Sequence, residues 1–134
     1  MEKWDRKVHV TSSLPFKDDQ YALFIGRWQP LHEGHKQMFE QVINVGKRVC
    51  IAIRDVEPDE KNPFTAEQIQ ANISEVYSKE IAEQTVKVIV IPDICSVEFG
   101  RGVGYDIIEH IPPTQVAGIS ATKIREQMKK EGKL

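Results

Sequence analysis

Two histidines and an arginine are concentrated in one short segment, GRWQPLHEGHK, which runs from Gly26 to Lys36. His32 and His35 are three residues apart, so on a helical turn their side chains project from neighbouring positions. Imidazole N–H groups and a guanidinium can all donate hydrogen bonds to phosphate oxygens. The segment therefore predicts a site that binds phosphate and stabilises negative charge as it develops on a transferring phosphorus.

The segment lies where a predicted strand, YALFIG at residues 21–26, gives way to an amphipathic helix over residues 33–45. Free backbone N–H groups and the positive end of the helix dipole favour an anion there. Arg27 can hold two phosphate oxygens at once, and Gly34 allows a ligand close to the backbone. Gly26, Arg27 and Gly34 are accordingly candidate phosphate-binding residues.

A second candidate segment, GISATKIR, occupies Gly118–Arg125 near the end of the sequence. Ser120 is a suitable N-cap, Thr122 adds a hydroxyl at the helix start, and Arg125 follows one turn later. Taken alone, this pattern also fits an ordinary capped surface helix. Two such helix starts in one small domain favour a single polyphosphate that is held from two sides.

Other kinds of site are less well supported. The zinc protease motif places its histidines four residues apart, whereas HEGH places them three apart, and no third ligand is evident. Cys50 and Cys95 lack metal-ligand spacing and are expected to be free thiols. The GRGVG segment lacks the strand, turn and helix of a dinucleotide fingerprint, so we expect a loop there. His9 and His110 have no comparable context and are expected at the surface.

The elements that must position these residues alternate between strand and helix. Apolar runs predict strands at Tyr21–Gly26, Arg48–Arg54 and Val86–Pro92, and a Thr65–Gln68 capping box starts a second helix. This order predicts an α/β fold in which helices pack on a parallel sheet. Ligands bind beyond the carboxyl ends of strands in such folds, which is where both segments fall.

The remaining segments complete the predicted organisation. Residues 1–20 form an N-terminal extension with a short strand near Val8–Thr11, and residues 21–134 form a single domain. Residues 93–113 are expected to hold a fourth short strand, a glycine-rich loop and a helical turn or short helix. TQVAG, at residues 114–118, is a candidate fifth strand. The prediction is therefore a mainly parallel five-stranded sheet.

Composition restricts the class of protein. The 134 residues are 40% hydrophobic and 28% charged, with a formal net charge of −2 from 18 basic and 20 acidic residues. This balance argues against nucleic-acid binding through bulk charge. No apolar run approaches the roughly 20 residues of a membrane span, and the N-terminus has no apolar signal core. We therefore expect a cytoplasmic protein with no membrane partner.

The two segments together resemble the nucleotidyltransferase superfamily that carries an HxGH signature and a late ISxTxxR-like signature. HEGH matches the first and ISATKIR the second, and the resemblance extends from about Tyr21 to Met128. GRWQPLHEGH is most similar to the GRFQPFHxGH form of archaeal-type nicotinamide mononucleotide adenylyltransferases, and KNPFTAEQ resembles their NPFT segment. The small size resembles the glycerol-3-phosphate cytidylyltransferase branch.

The resemblance implies a Rossmann-like three-layer sandwich and an enzyme. A phosphorylated acceptor would attack the α-phosphorus of a nucleoside triphosphate and release pyrophosphate, with Mg²⁺ bound through the nucleotide phosphates and no protein metal ligand. His32, His35 and Arg125 would be catalytic, and Ser120, Thr122 and Arg125 would hold the β- and γ-phosphates. Further candidates lie within the first segment or on loops after strands: Trp28, Lys36, Asp93 and Arg101.

The residues leave the substrates open. The nucleotide is ATP or CTP, and the acceptor is nicotinamide mononucleotide, glycerol phosphate, a sugar phosphate or a pantetheine phosphate. A nicotinamide mononucleotide adenylyltransferase-like activity is favoured over two alternatives, a CTP-dependent glycerol-3-phosphate-type cytidylyltransferase and a non-catalytic nucleotide-binding module. A homo-oligomer is compatible with so small a domain.

Overall fold

The computed structural model describes residues 3–101, 104–113, 116, 118 and 120–134. Five strands and four helices follow one another along these residues. In chain order they are β1 (Asp5–Val10), β2 (Tyr21–Gly26), α1 (Glu33–Asn44), β3 (Arg48–Asp55), α2 (Ala66–Val76), α3 (Ser78–Ala82), β4 (Val86–Pro92), β5 (Ile107–Ile111) and α4 (Ala121–Lys130).

The central sheet is parallel and has the strand order β2-β3-β4. Tyr21 pairs with Arg48 at the start of β2, and Val49 pairs with Val86 at the start of β4. Because β3 has a neighbour on each side, its apolar run from Val49 to Ile53 can be almost wholly apolar, as in other buried parallel strands. The alternation of strands and helices confirms the predicted α/β class.

Helices α1 and α2 pack on the same face of this sheet. Val49, Ile51 and Ile53 alternate along β3 and are all fully buried in one core cluster with residues of both helices. Phe39 of α1 anchors the cluster through edge-to-face contacts at 5.0 Å from Phe24 and 6.2 Å from Tyr77. The stability of the sheet therefore depends mainly on one helix-covered face.

A single five-stranded sheet is not what the described residues form. Strands β1 and β5 make a separate antiparallel pair, in which Asp5 lies opposite Ile111 and Val8 opposite Ile108. β5 occupies the stretch where a helical turn was predicted before Pro112. Its β-branched isoleucines suit a strand, but its partner lies about a hundred residues away, beyond the reach of local pattern.

The candidate fifth strand, TQVAG, lies largely outside the described residues. β1 falls within the predicted N-terminal extension and begins next to Trp4, which is buried. The extension therefore joins the rest of the chain through Trp4 and β1, whereas almost all of residues 11–20 are exposed. No helix among the described residues is both long enough and apolar enough to cross a membrane.

The predicted starts of two helices are confirmed. At α2, the Thr65 hydroxyl accepts a hydrogen bond from the Gln68 backbone N–H at 3.1 Å, and the Gln68 side chain accepts one from the Thr65 N–H at 2.8 Å. At α4, the Ser120 hydroxyl accepts from the Lys123 N–H at 3.1 Å. These bonds satisfy backbone donors that would otherwise be unpaired.

We predict that Gly26→Ala destabilises the fold by about 1–3 kcal/mol, the usual cost of overpacking. A Cβ at Gly26 would lie 2.8 Å from two ring atoms of Trp28, whose side chain is buried and cannot move aside freely. Urea unfolding would measure the change. Gly100→Ala is the matched control, because a Cβ there meets no atom within 4 Å. Equal unfolding midpoints for the two variants would contradict the prediction.

Candidate active site

The loop between β2 and α1 is built on a buried tryptophan. The Trp28 indole N–H donates a hydrogen bond to the Ala52 carbonyl at 3.1 Å. One ring edge meets His35 at a centroid distance of 4.8 Å, and Phe39 lies at 5.2 Å. Trp28, a candidate binding residue in the sequence, is thus placed beneath the loop, where it supports His35.

His32 and His35 cap helix α1 reciprocally. The His35 backbone N–H donates to Nδ1 of His32 at 3.4 Å, and the His32 backbone N–H donates to Nδ1 of His35 at 3.2 Å. His32 is the N-cap residue and His35 is the third residue of the helix. This is the capping-box arrangement that Thr65 and Gln68 form at α2, made here from two imidazoles.

The reciprocal bonds select one tautomer for each ring. Because Nδ1 of each imidazole accepts a hydrogen bond, the proton of each neutral ring must be on Nε2. The rings are stacked, with centroids 3.6 Å apart and an 18° angle between their planes. Two Nε2–H donors therefore lie side by side at the positive end of a helix dipole, which is an arrangement suited to an anion.

The histidines are neutral at physiological pH. Burial is the larger of two effects that lower the pKa of His35 to about 3, and the second is the positive charge that His32 can carry. Burial also lowers the pKa of His32. Since a second proton on either ring would occupy Nδ1, protonation would break the cap as well as add charge. The pair is thus built as two uncharged hydrogen-bond donors.

Gly34 is required by the position of the His32 ring. A Cβ at Gly34 would lie 2.9 Å from Cε1 of His32 and 3.3 Å from Cγ1 of Val116. The sequence suggested that this glycine allows close approach of a ligand. The structure adds that only glycine leaves room for the capping imidazole.

Arg125 links the second segment to the first. Its guanidinium donates through Nη1 to the Gln29 carbonyl at 2.6 Å and through Nη2 to the Thr122 hydroxyl at 3.3 Å. The Ser120 hydroxyl accepts the cap bond of α4 and keeps its own proton available. The two segments, far apart in sequence, are thus joined by one side chain.

Gln29 was not identified from the sequence. It is buried, and its side chain donates to the Phe64 carbonyl at 2.9 Å and accepts from the Phe64 N–H at 3.0 Å. These two hydrogen bonds connect the loop before α2 to the loop before α1. Its position within the GRWQP segment indicated that it lies near the candidate site. No local pattern in the sequence indicates that its side chain bonds to the backbone of Phe64.

The loop before α2 has its own internal support. The Asp59 carboxylate accepts hydrogen bonds from the backbone N–H groups of Asn62 and Lys61 at 2.7 and 2.8 Å. The bond from the Asn62 backbone is the largest cause of a lowered Asp59 pKa, and the charge of Arg27 contributes to it. Arg27 itself is exposed.

The remaining candidates lie in different surroundings. Asp93 accepts from Nη2 of Arg54 at 2.7 Å, so it joins the ends of β3 and β4. Arg101 lines a separate cleft, together with residues 10–14, 99–100 and Gly104. The Lys36 backbone N–H bonds to the His32 carbonyl at 3.1 Å, and its side chain is half-buried.

The two histidines line a cleft of about 310 Å³. Gly34 and Met38 of α1 line it too, and the other lining residues are Trp4, His110, Pro112 and Val116. The expectation that His110 lies at the surface was therefore wrong, because pairing of β1 with β5 carries it inward. Within the described part of the chain, no group of three or more histidine, cysteine or acidic side chains could hold a metal ion.

Comparison with known proteins gives a consistent match. A family model described as Cytidylyltransferase-like matches residues 23–127, which include both segments and exclude β1. The chain is 39% identical over 62 residues to the nicotinamide/nicotinic acid mononucleotide adenylyltransferase of Acinetobacter baylyi, covering 45% of this chain and 33% of that protein. It is 30% identical over 115 residues to the nicotinamide-nucleotide adenylyltransferase of Methanococcus aeolicus, covering 83% and 63%.

A solved structure is also similar over part of the chain. It is a bifunctional NMN adenylyltransferase/ADP ribose pyrophosphatase from Francisella tularensis, complexed with AMP and a manganese ion. The identity is 34%, the TM-score is 0.46, and the match covers 55% of this chain and 22% of that one. The chain thus spans between about a fifth and two thirds of the length of these proteins.

We predict that acid destabilises the wild-type chain more than a His35→Gln variant. The pKa of His35 is lower in the folded chain than its ordinary value of 6.5, so the unfolded chain takes up a proton first as the pH falls below 6.5. The free energy of unfolding then decreases, by about 1 kcal/mol between pH 7 and pH 5 once solvent screening is allowed for.

The His35→Gln variant keeps a capping-box residue but has no proton to gain at that position. Chemical unfolding of both proteins at pH 7 and pH 5 would isolate the contribution of His35. Identical losses of stability in the two proteins would contradict the prediction.

We predict that Gln29→Leu destabilises the fold by about 2–4 kcal/mol, because both the N–H and the carbonyl of Phe64 lose a buried partner. Gln70→Leu is the matched control. Gln70 makes one long bond, at 3.4 Å to the Val88 carbonyl, and its loss should cost about 1 kcal/mol or less. Thermal unfolding would compare the stabilities of the two variants. An equal loss of stability would contradict the proposed importance of the Gln29–Phe64 hydrogen bonds.

Proposed function

Because the chain belongs to the cytidylyltransferase-like family, we propose that it is a nucleotidyltransferase that transfers AMP from ATP to nicotinamide mononucleotide. The resemblance of HEGH and ISATKIR to this superfamily is confirmed at the level of the family. The choice of ATP and nicotinamide mononucleotide follows the relatives, which are named nicotinamide-nucleotide adenylyltransferases.

One observation carries the proposal, which is the reciprocal cap that leaves His32 and His35 as paired neutral Nε2–H donors at a helix start. In the proposed reaction a phosphate oxygen of the acceptor attacks the α-phosphorus of ATP. The bond from that phosphorus to the pyrophosphate oxygen breaks, and pyrophosphate leaves. Fixed donors at the α-phosphate would stabilise the charge that develops there, at no cost in reorganisation.

Arg125 and the start of α4 would hold the β- and γ-phosphates. Arg125 uses two N–H groups on Gln29 and Thr122, and a guanidinium has five, so three remain for phosphate oxygens. The protons of the Ser120 and Thr122 hydroxyls are additional donors at the helix N-terminus. Arg27, which is exposed within the first segment, is assigned to the acceptor phosphate.

Magnesium would enter bound to the nucleotide. Asp93 is occupied by Arg54 and Asp59 by its own loop, so neither carboxylate is a ready ligand near the histidines. A divalent ion on the triphosphate would neutralise charge on the phosphate oxygens, and the oxygen preference of Mg²⁺ suits that position. The chain's own contribution is to orient the phosphates and donate hydrogen bonds to them.

The proposal predicts that pyrophosphate is released when ATP is combined with nicotinamide mononucleotide, and with no other pair of substrates. A substrate matrix tests ATP and CTP against nicotinamide mononucleotide, glycerol 3-phosphate, a sugar phosphate and pantetheine phosphate. His35→Ala should lower turnover at least about a hundredfold, the size of effect seen when one donor to a developing oxyanion is removed. Circular dichroism would confirm that the variant is folded.

The exposed His9, which lies on β1 and bonds to Glu109 at 3.1 Å, supplies the matched control. His9→Ala should keep wild-type turnover. Release with CTP and glycerol 3-phosphate would replace the proposal by the cytidylyltransferase alternative. Triphosphate binding without release from any acceptor would support the non-catalytic module, and wild-type release by His35→Ala would remove that histidine from the mechanism.

A further inference from the structure

The backbone of the loop between β2 and α1 has an unusual conformation at Trp28. Its φ angle is +52°, in the left-handed region that a bulky L side chain rarely adopts. Such a conformation persists only where the surrounding structure enforces it, and it is concentrated at functional sites. Here the indole bond to the Ala52 carbonyl holds Trp28, and two side-chain bonds hold the next residue, Gln29. An enforced turn of this kind indicates that the groups it directs have a task.

The turn directs the side chain and the carbonyl of Gln29 to different partners. The side chain is only 4% exposed, and its amide bonds to both the carbonyl and the N–H of Phe64, at 2.9 and 3.0 Å. The backbone carbonyl of Gln29 accepts a hydrogen bond from Nη1 of Arg125 at 2.6 Å. Two bonds to one residue fix the orientation of the amide, and with it the position of the carbonyl against which the guanidinium lies.

The segment that anchors this amide is itself well supported. Phe64 follows a closed turn in which the Asp59 carboxylate accepts from the backbone N–H and the side-chain amide of Asn62, at 2.7 and 3.1 Å. The Asp59 N–H donates in return to the Asn62 carbonyl at 2.9 Å, and Asn62 is buried. Directly after Phe64, the capping box of Thr65 and Gln68 begins α2. The anchor thus lies between a hydrogen-bonded turn and a capped helix start.

The guanidinium of Arg125 has little other support. No residue of α4 is buried, and the second hydrogen bond of Arg125 goes to Thr122 of the same helix, at 3.3 Å. Within the described part of the chain, the bond to Gln29 is the one that ties the guanidinium to another element. A long side chain loses rotamer freedom when it is fixed, so a preformed contact lowers what a ligand must spend to order it.

We propose that Gln29 is a positioning residue for Arg125, and that its buried amide sets the orientation in which the guanidinium meets the triphosphate. The proposal rests on the proposed function for the identity of those phosphates. It gives a side chain that touches no substrate a part in phosphate affinity, and it makes the loop before α2 the support of that affinity. A Gln29 with only a structural role would stabilise the loop and leave phosphate affinity unchanged.

Calorimetric titration of the full chain with inorganic tripolyphosphate and Mg²⁺ would test this in a double-mutant cycle. Arg125→Ala should weaken binding about tenfold, because charge-assisted hydrogen bonds are lost. Gln29→Leu keeps the guanidinium but frees its carbonyl support to move, so binding should weaken about fivefold. The double variant should bind no more weakly than Arg125→Ala, since no guanidinium is left to position.

Two further variants separate positioning from stability. Gln29→Asn is polar but one methylene shorter, so it cannot reach both backbone groups of Phe64 and should also weaken binding. Val86→Ala destabilises the core where β4 begins, at the opposite end of the sheet, and should keep wild-type affinity. Circular dichroism at the temperature of titration would confirm that each protein is folded.

Losses that multiply in the double variant would overturn the positioning role, because they would show two independent effects. Wild-type affinity in both Gln29 variants, an equal loss in Val86→Ala, or wild-type affinity in Arg125→Ala would do the same, and the last result requires no Gln29 variant to fold. The proposed function fails separately. Coupled binding without pyrophosphate release from any substrate pair keeps the positioning role and ends the transferase, whereas release with an unaltered KM for ATP in both Gln29 variants does the reverse.

Discussion

The pair of hydrogen bonds between His32 and His35 is the constraint on which this end of the molecule depends. Each ring uses its Nδ1 to satisfy a backbone N–H of the helix start, which leaves its Nε2–H for the proposed ligand. Nearby packing serves the same two rings. Gly26 leaves room for Trp28, whose edge supports His35, and Gly34 leaves room for the ring of His32. The arrangement that caps the helix is therefore the same one that we propose for anion binding.

The site concentrates hydrogen-bond donors in a protein whose formal net charge is −2. Burial lowers the pKa of both histidines, which favours their neutral forms, and the guanidinium of Arg125 is partly engaged by the Gln29 carbonyl. Affinity for phosphate would then come from oriented donors and helix dipoles, with charge as a local supplement. Such a site distinguishes a phosphate by the geometry of its oxygens, and the bulk charge of the chain has little part in it.

Local features of the sequence predicted local structure. The bounds of β2 and β4 and the caps at Thr65 and Ser120 followed from apolar runs and capping residues, because their causes lie within a few positions. Contacts between distant residues were missed. β5 pairs with β1, and the Gln29 side chain bonds to Phe64. Both partners are distant in sequence and come together only when the chain folds, so neither contact could be predicted from local residues. The two candidate phosphate-binding segments stood out in the sequence because each is itself a helix start.

The two capping boxes of this chain differ in what a mutation can remove. At α2, Thr65 and Gln68 perform only the structural task, whereas at α1 the same task falls to residues that carry the proposed chemistry. A lineage that no longer needed the activity could not simply discard the histidines, since the helix would lose its start. It would have to acquire a conventional cap, a serine or threonine at position 32 with a glutamine or glutamate at position 35. Loss of the proposed activity would then be visible in descendant sequences as a conventional cap at these two positions.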